Sequence, residues 1–185
     1  RALYGRAADS VSVFPPPGID DSETFFAKVA SASPGRLYVG VAAQGRSMKG
    51  ILLRVYRSLL AAAMKAYDPA LPPDQTGDGY MTLAGYFNSL RELGGMRRLV
   101  EDEVRNRTQS AENDEARPKN APRPHLWFKN RDIGLEPVEL TSREHTDTVK
   151  RTKDHLDRHY TEAEFVNVLL ASNMISVGVD INRLG

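Results

Sequence analysis

Apolar residues in the first half of the chain recur with two different spacings. Residues 37–41 (LYVGV) and 80–87 (YMTLAGYF) are short apolar runs, which are typical of buried strands. Between them, apolar residues over positions 48–64 recur every three or four places, as on one face of an amphipathic helix. Ser47 directly precedes this pattern and is a residue type that caps helices. The pattern therefore predicts a strand, a helix and a second strand.

A second helix is predicted after residues 80–87. Asn88 and Ser89 can cap its first turn, and its apolar face carries Leu90, Leu93, Val100 and Val104. Residues 107–134 then change character, because they are polar, contain prolines and include almost no aliphatic side chains. Such a composition predicts a mobile insertion rather than part of the packed core.

Strand–helix alternation resumes after this insertion. Residues 138–140 (VEL) and 166–171 (VNVLLA) are predicted strands, and residues 142–165 between them are predicted to be mainly helical. Repeated alternation of this kind is typical of a parallel sheet with helices on both faces. The predicted fold class is therefore α/β, with right-handed crossovers between the strands.

The N-terminal region has a different composition. Three consecutive prolines at residues 15–17 favour extended geometry and exclude a helix there. We therefore expect an extended arm over residues 1–35 and one α/β domain over residues 36–185. Because the chain starts at Arg1 and not at Met, we expect it to be a piece of a longer polypeptide.

Composition excludes several classes of protein. The 185 residues include 25 Lys and Arg against 24 Asp and Glu, so the net charge is +1 and any basic binding surface must be local. There are no cysteines, which excludes disulfide scaffolds, cysteine metal sites and thiol nucleophiles. No apolar run approaches the roughly 20 residues that span a bilayer. These features favour a cytoplasmic protein without membrane contact.

The stretch GVAAQGRS, residues 40–47, fits the phosphate-binding loop G-x-x-x-x-G-K-[ST] except for Arg46 in place of lysine. The lysine acts as a compact point charge on the phosphates, and a planar guanidinium is not interchangeable with it. One hypothesis is an autonomous ATPase built on this loop. The other is a tight strand-to-helix turn at Gly40 and Gly45. Free N–H groups at the start of the helix capped by Ser47, with Arg46 beside them, would then favour an anion such as a nucleic-acid phosphate.

The C-terminal stretch VNVLLASNMISVGVDINRLG holds the most specific pattern. Ser172 follows an apolar strand, Gly178 lies six residues later and Asp180 two residues beyond that. Ligands of open α/β sheets bind outside the carboxyl ends of the strands. At such a position a hydroxyl can bind a phosphate, a glycine admits close backbone approach and a carboxylate can accept from a ribose.

Three segments of the chain together resemble superfamily 2 helicases. The motif V pattern of these enzymes is matched in residue type and spacing by Ala171, Ser172, Gly178 and Asp180. Upstream, MTLAGYFNSLRELGG resembles motif IV, and VELTSR resembles the strand and turn that touch the nucleic-acid backbone. The stretches FNSLRELGG, ELTSR and NMISVGVD are most similar to the large helicase subunit of the DISARM phage-defence system and its relatives.

The resemblance implies the second of two RecA-like lobes, over residues 36–185, and assigns roles to two sets of residues. Contacts to nucleic acid would come from Asn88, Ser89, Thr141, Ser142, Arg143 and Ser172. The residues facing ATP across the lobe interface would be Gly178 and Asp180. Apart from the resemblance, the start of the first helix predicts an anion site at Gly45, Arg46 and Ser47.

The resemblance also implies the ligands and partners. These are nucleic acid, with DNA favoured over RNA, the first lobe of the same parent chain and other defence-system subunits. The parent would use ATP and Mg²⁺. The chain contains neither motif VI with its arginine finger nor a lysine phosphate loop, so we expect no catalytic residue and no tightly bound cofactor within it.

Two alternative functions remain open at this stage. A self-contained ATPase would combine residues 40–47 with ISVGVD as a magnesium-binding strand, although Gly178 interrupts that apolar run. A degenerate RecA-like module would serve protein interaction alone. His155 and His159 have the spacing of two helical metal ligands, but without an H-E-x-x-H arrangement or a third ligand we predict a solvated helix face and no metal.

Overall fold

The computed structural model describes residues 37–42, 44–72, 75–113, 127–141 and 143–172, together with Ile181 and Arg183. The chain divides into two compact units, Arg1–Ala42 and Ala43–Gly185. In the first unit, residues 37–42 form no strand, and the side chains of Leu37 and Tyr38 are exposed. The strand predicted at residues 37–41 is therefore wrong. An apolar run becomes a strand only where a neighbouring strand takes up its backbone hydrogen bonds.

The second unit is built on a three-stranded parallel sheet. Its strands are β1 (Leu83–Phe87), β2 (Val138–Leu140) and β3 (Val168–Ser172), and β3 lies between the other two. The parallel sheet predicted from strand–helix alternation is confirmed. β1 begins later than predicted, because Asp78–Met81 forms a 3₁₀ turn in front of it.

The helix α1 (Met48–Ala66) precedes β1 and begins where the sequence predicts. The Ser47 hydroxyl oxygen accepts a hydrogen bond from the Gly50 N–H at 3.2 Å, which satisfies one of the free donors of the first turn. Its buried face comprises Leu53, Tyr56, Arg57, Leu60, Ala61 and Ala63. In the described part of the chain, no helix is both long and apolar enough to cross a membrane.

The helix α2 (Leu90–Leu99) follows β1 and continues without a break. A π-helical turn (Val100–Val104) leads into α3 (Arg105–Gln109), and a short 3₁₀ turn (Ala111–Asn113) follows. The helical segment therefore extends into the region that the composition predicts to be an insertion. Such single π-helical turns are a known way to insert a residue into an α-helix.

Both ends of the predicted insertion pack into the second unit. Thr108 is fully buried, and its hydroxyl donates to the Val104 carbonyl at 2.7 Å. The Arg131 N–H donates to the Thr108 carbonyl at 3.1 Å, and Ile133 lies in the apolar core. Residues 114–126, the middle of the predicted insertion, lie outside the described residues.

The helix α4 (Thr146–Leu156) joins β2 to β3 and is shorter than the predicted helical region 142–165. After Leu156 the chain turns, and the Arg158 side chain donates to the Ala163 carbonyl at 2.6 Å. Glu164 then adopts a φ of 59°, in the left-handed region that a helix does not use. The apolar spacing that predicts a longer helix is therefore interrupted by a loop before β3.

The sheet carries an apolar cluster on each face, because successive strand residues point to opposite sides. On one side, Val168 and Leu170 pack against α1 and α2, in a cluster that also includes Leu53, Tyr56, Leu60, Leu93, Met96 and Leu99. On the other side, Leu169 and Ala171 pack with Leu140, Leu156, Val166 and Ile181. The described residues thus form a mixed α/β layer structure with helices on both faces of the sheet.

Candidate nucleic-acid interface at the carboxyl edge of the sheet

The strand register brings three separated segments to one edge of the sheet. In the central strand, Ser172 is level with Phe87 of β1, and Ala171 is level with Leu140 of β2. Thr141 follows Leu140 as Ser172 follows Ala171, so Thr141 and Ser172 lie beside each other at the ends of their strands. Neighbouring strands lie about 4.8 Å apart. The sequence segments that were predicted to share a ligand thus end side by side at the carboxyl edge.

The first of these segments starts α2. Asn88 and Ser89 are exposed, and the Ser89 hydroxyl oxygen accepts from the Glu92 N–H at 3.2 Å. The Ser89 carbonyl accepts from the Leu93 N–H at 3.1 Å. The remaining N–H groups of a first helical turn have no partner within the helix, and the helix dipole adds positive potential there. The start of α2 can therefore favour an anion next to the end of β1.

The second segment is the turn after β2. Thr141 is buried, with 3% of its surface exposed, and its hydroxyl oxygen accepts from the Arg143 N–H at 3.4 Å. Its carbonyl accepts from the Glu144 N–H at 3.1 Å. Arg143 itself is exposed, and α4 begins three residues later at Thr146. The turn thus offers an exposed guanidinium close to the start of a second helix.

The third segment is the end of β3, where Ser172 is half-buried. Because β3 is the central strand, Ser172 lies in the middle of the carboxyl edge. Of the other predicted residues, Ser142, Gly178 and Asp180 lie outside the described residues. The structure therefore assembles the predicted nucleic-acid residues, apart from Ser142, while the predicted ATP-facing pair stays a prediction.

An ion network connects α2 with β2 behind this edge. Arg97 donates to a carboxylate oxygen of Glu101 at 2.7 Å and to one of Glu139 at 3.0 Å, and lies 3.6 Å from Glu136. Hydrogen bonds to Glu101 and then Glu139 raise the pKa of Arg97 above its ordinary value. Sequence reasoning missed this cross-sheet link, since only the spacing of Arg97 and Glu101 is visible in the sequence.

The outer face of α2 borders an open depression of about 530 Å³. It is lined by Leu90, Arg91, Gly94, Gly95, Arg97, Arg98 and Glu101. Arg91 and Arg98 are exposed, whereas Arg97 is engaged in the ion network. The two exposed cations lie on the helix that begins at the carboxyl edge, so they add local positive charge to a chain with almost no net charge.

The start of α1 differs from a phosphate-binding loop. Gly45 has a φ of 72°, which favours glycine, and Ser47 caps the helix with its side chain. The predicted turn before the helix is confirmed at Gly45, but no strand at Gly40 leads into it. A phosphate-binding loop connects a strand to a helix, but residues 37–41 form no strand. The hypothesis of a self-contained ATPase therefore loses one of its structural requirements.

Comparison with known proteins adds an independent relationship. The chain is 39% identical, over 188 aligned residues, to DISARM protein DrmA of Bacillus paralicheniformis. The chain is similar to DrmA over nearly its whole length. The match covers 99% of the chain but only 15% of the length of DrmA. No protein-family model matches the chain.

Nearly the whole chain aligns with DrmA, so the alignment includes almost all of the segments that meet at the carboxyl edge.

The chain also has a polar cluster at the opposite edge of the sheet, which sequence reasoning missed. Buried Asp78 accepts hydrogen bonds from the Arg183 guanidinium at 3.0 Å and from the Tyr160 N–H at 2.8 Å. Arg183 also donates to the Leu156 carbonyl at 2.8 Å and to the Thr82 hydroxyl. Its partners are scattered along the sequence, which leaves no local signal.

His155 and His159 lie near different carboxylates. His155 lies 3.4 Å from Glu164, whereas His159 lies 3.3 Å from Asp78. No group of three or more potential metal ligands occurs among the residues that the structure describes. His155 lies in the last turn of α4, whereas His159 lies in the loop after it, so the helix face predicted for the pair is wrong for His159.

Proposed function

We propose that the chain is part of the second RecA-like lobe of an ATP-dependent helicase or translocase that acts in phage defence. The observation that carries this proposal is the register of the sheet, which brings Ser89, Thr141 and Ser172 to one edge. The relationship to DrmA supports a role in a DISARM-related system. The layered α/β structure is compatible with a RecA-like lobe.

The proposed ligand is the sugar–phosphate backbone of one nucleic-acid strand. The start of α2 supplies N–H groups and a helix dipole, Arg143 supplies an exposed positive charge and Ser172 a hydroxyl. These groups recognise phosphate and do not read base edges. Binding should therefore depend little on sequence and strongly on salt concentration.

The proposed mechanism couples this edge to ATP in the longer parent chain. ATP and Mg²⁺ would be held mainly by a first lobe, with Gly178 and Asp180 of this chain facing the nucleotide. Closing and opening of the two lobes would then shift the phosphate contacts along the strand. Further defence-system subunits are the expected protein partners, and DNA is favoured over RNA as the nucleic acid.

The proposal is tested by fluorescence anisotropy with a single-stranded oligonucleotide of about 16 nucleotides. Binding is measured from about 50 to 200 mM salt, where the logarithm of affinity should fall linearly with the logarithm of salt concentration. Arg143→Ala should weaken binding and reduce the slope by about 0.7, the share of one phosphate contact. Ser172→Ala should weaken binding without changing the slope, because its hydroxyl is neutral. DNA and RNA oligonucleotides of the same sequence distinguish the two ligands.

Arg107→Ala is the matched control for the charge change. Arg107 is an exposed arginine in α3, about 27 Å along the helical segment from Ser89. Its removal should leave both affinity and salt slope unchanged. If Arg107→Ala lowers the affinity and the salt slope as much as Arg143→Ala does, binding is a general effect of charge, and the carboxyl edge is not the binding site.

A further inference from the structure

The Thr141 hydroxyl is poorly placed for direct contact with a ligand. Only 3% of the Thr141 surface is exposed, whereas the neighbouring Arg143 is exposed. The preceding residue, Leu140, belongs to the apolar cluster beneath α4. A residue with so little exposed surface offers a phosphate oxygen little access to its hydroxyl.

The polar atoms of Thr141 are instead used within the turn. The hydroxyl oxygen accepts from the Arg143 N–H at 3.4 Å, and the carbonyl oxygen accepts from the Glu144 N–H at 3.1 Å. Such side-chain-to-backbone hydrogen bonds fix the backbone of a turn two residues downstream. Together they set the point from which the Arg143 side chain leaves the surface.

We infer that Thr141 is a positioning residue that acts through Arg143 and does not itself contact nucleic acid. This inference rests on the proposed function, because it concerns the same carboxyl edge. It changes the role that the helicase resemblance gives to Thr141, while Ser172, which is half-buried at the end of β3, keeps the role of a direct contact. The charge that holds the phosphate is then supplied by Arg143 alone within this turn.

A double-mutant cycle in the full 185-residue chain tests the inference. The variants are Thr141→Val, Arg143→Ala and the combination of both, measured by anisotropy with the single-stranded oligonucleotide. Arg143→Ala should weaken binding by about two- to tenfold. If Thr141 acts through Arg143, Thr141→Val should have much less effect in the Arg143→Ala background than alone.

The salt dependence provides a readout that a loss of stability would not move. A neutral hydroxyl that contacts phosphate releases no counterion, so its removal leaves the salt slope unchanged. Thr141→Val should instead lower the slope by up to about 0.7, as Arg143→Ala does, because the arginine is no longer held at the phosphate. Thr141→Ser keeps the oxygen acceptor and should retain the affinity and slope of the unmodified chain.

Amide hydrogen exchange of Arg143 in the free protein checks the turn itself. Exchange should be faster in Thr141→Val and close to that of the unmodified chain in Thr141→Ser, even if the valine variant is less stable elsewhere. Additive effects of the two substitutions, an unchanged salt slope in Thr141→Val or a loss of affinity in Thr141→Ser would overturn the inference. An unmodified chain that binds no oligonucleotide at low salt would overturn the proposed function, and the inference with it.

Discussion

Tyr56 in α1 lies directly over Gly85 in β1. A Cβ atom on residue 85 would approach the Tyr56 hydroxyl oxygen far more closely than van der Waals contact allows, and would lie 3.1 Å from the Tyr56 Cζ atom. Tyr56 is buried and belongs to the apolar cluster on this face of the sheet. The absence of a side chain at Gly85 therefore lets α1 pack closely on the strand that leads to Ser89 at the carboxyl edge.

Gly85→Ala should destabilise the protein by about 1–3 kcal/mol, because the new methyl group overpacks a buried contact. Gly94→Ala is a matched control, since Gly94 lies in exposed helix and a methyl group added there would have no neighbouring atom within 4 Å. That substitution should stabilise the protein by up to about 1 kcal/mol through helix propensity. Urea unfolding of both variants measures the two free energies, and a destabilisation by Gly94→Ala equal to that by Gly85→Ala would contradict the packing argument.

Burial also predicts a pH dependence for Tyr56. It raises the pKa of Tyr56 from 10.0 to about 12, so the folded state holds the phenol proton more tightly than the unfolded state. The protonated phenol therefore contributes about 2–3 kcal/mol to the free energy of unfolding. This contribution is fully present below pH 10 and is lost as the pH rises through the folded-state pKa. Urea unfolding between about pH 8 and pH 12 should show a steeper loss of stability in the unmodified protein than in Tyr56→Phe. Parallel curves for the two proteins would rule out Tyr56 as the source.

Local patterns predicted most of the helices and strands, but their bounds and the pairing of the strands less well. The start of α1 follows from apolar spacing and the Ser47 cap, which are both contained within a few neighbouring residues. The apolar run at residues 37–41 shows the limit, because a strand depends on a partner that its own sequence does not specify. The parallel order of β1, β3 and β2 could be predicted only as a class, and its register required the structure.

In the candidate site, the residue types could be predicted from the sequence, but the environment of each side chain could not. The sequence identified Thr141 and Arg143 as polar residues after a strand, but it could not distinguish the buried hydroxyl from the exposed guanidinium. The structural role of Arg131 could not be predicted at all, because it lies in a polar stretch whose composition is typical of an insertion. Its acceptors, on Leu60, Met81 and Asn167, are 36 to 71 residues away in the sequence.

Arg131→Lys should destabilise the protein by about 2–4 kcal/mol. The buried guanidinium donates to the Met81 carbonyl at 2.5 Å and to the Asn167 side-chain oxygen at 2.8 Å, and it lies over the Tyr160 ring. Burial lowers the pKa of Arg131 to about 10, yet the group stays charged at neutral pH. A lysine ammonium is a single point and cannot serve these separated acceptors at once. Thermal unfolding checks the effect, with Lys129→Arg, on an exposed neighbour, as the control that should change little.

Asp78→Asn should be among the most destabilising single substitutions, because it leaves the Arg183 guanidinium buried without its carboxylate. The two side chains are 7% and 8% exposed and are joined at 3.0 Å. Breaking a buried pair in this way costs about 3–5 kcal/mol, whereas an exposed pair contributes at most about 1 kcal/mol. Glu103→Gln supplies the exposed comparison, since Glu103 pairs with Lys49 at 3.5 Å on the surface.

The double variant Asp78→Asn with Arg183→Met separates the loss of the pair from the burial of a lone charge. If the uncompensated guanidinium causes most of the destabilisation, removing it as well should recover a large part of the lost free energy of unfolding. Urea unfolding at neutral pH measures the unmodified protein, Asp78→Asn, Glu103→Gln and the double variant under the same conditions. A double variant that is no more stable than Asp78→Asn alone would show that the hydrogen bonds from Arg183 to Leu156 and Thr82 matter more than its charge.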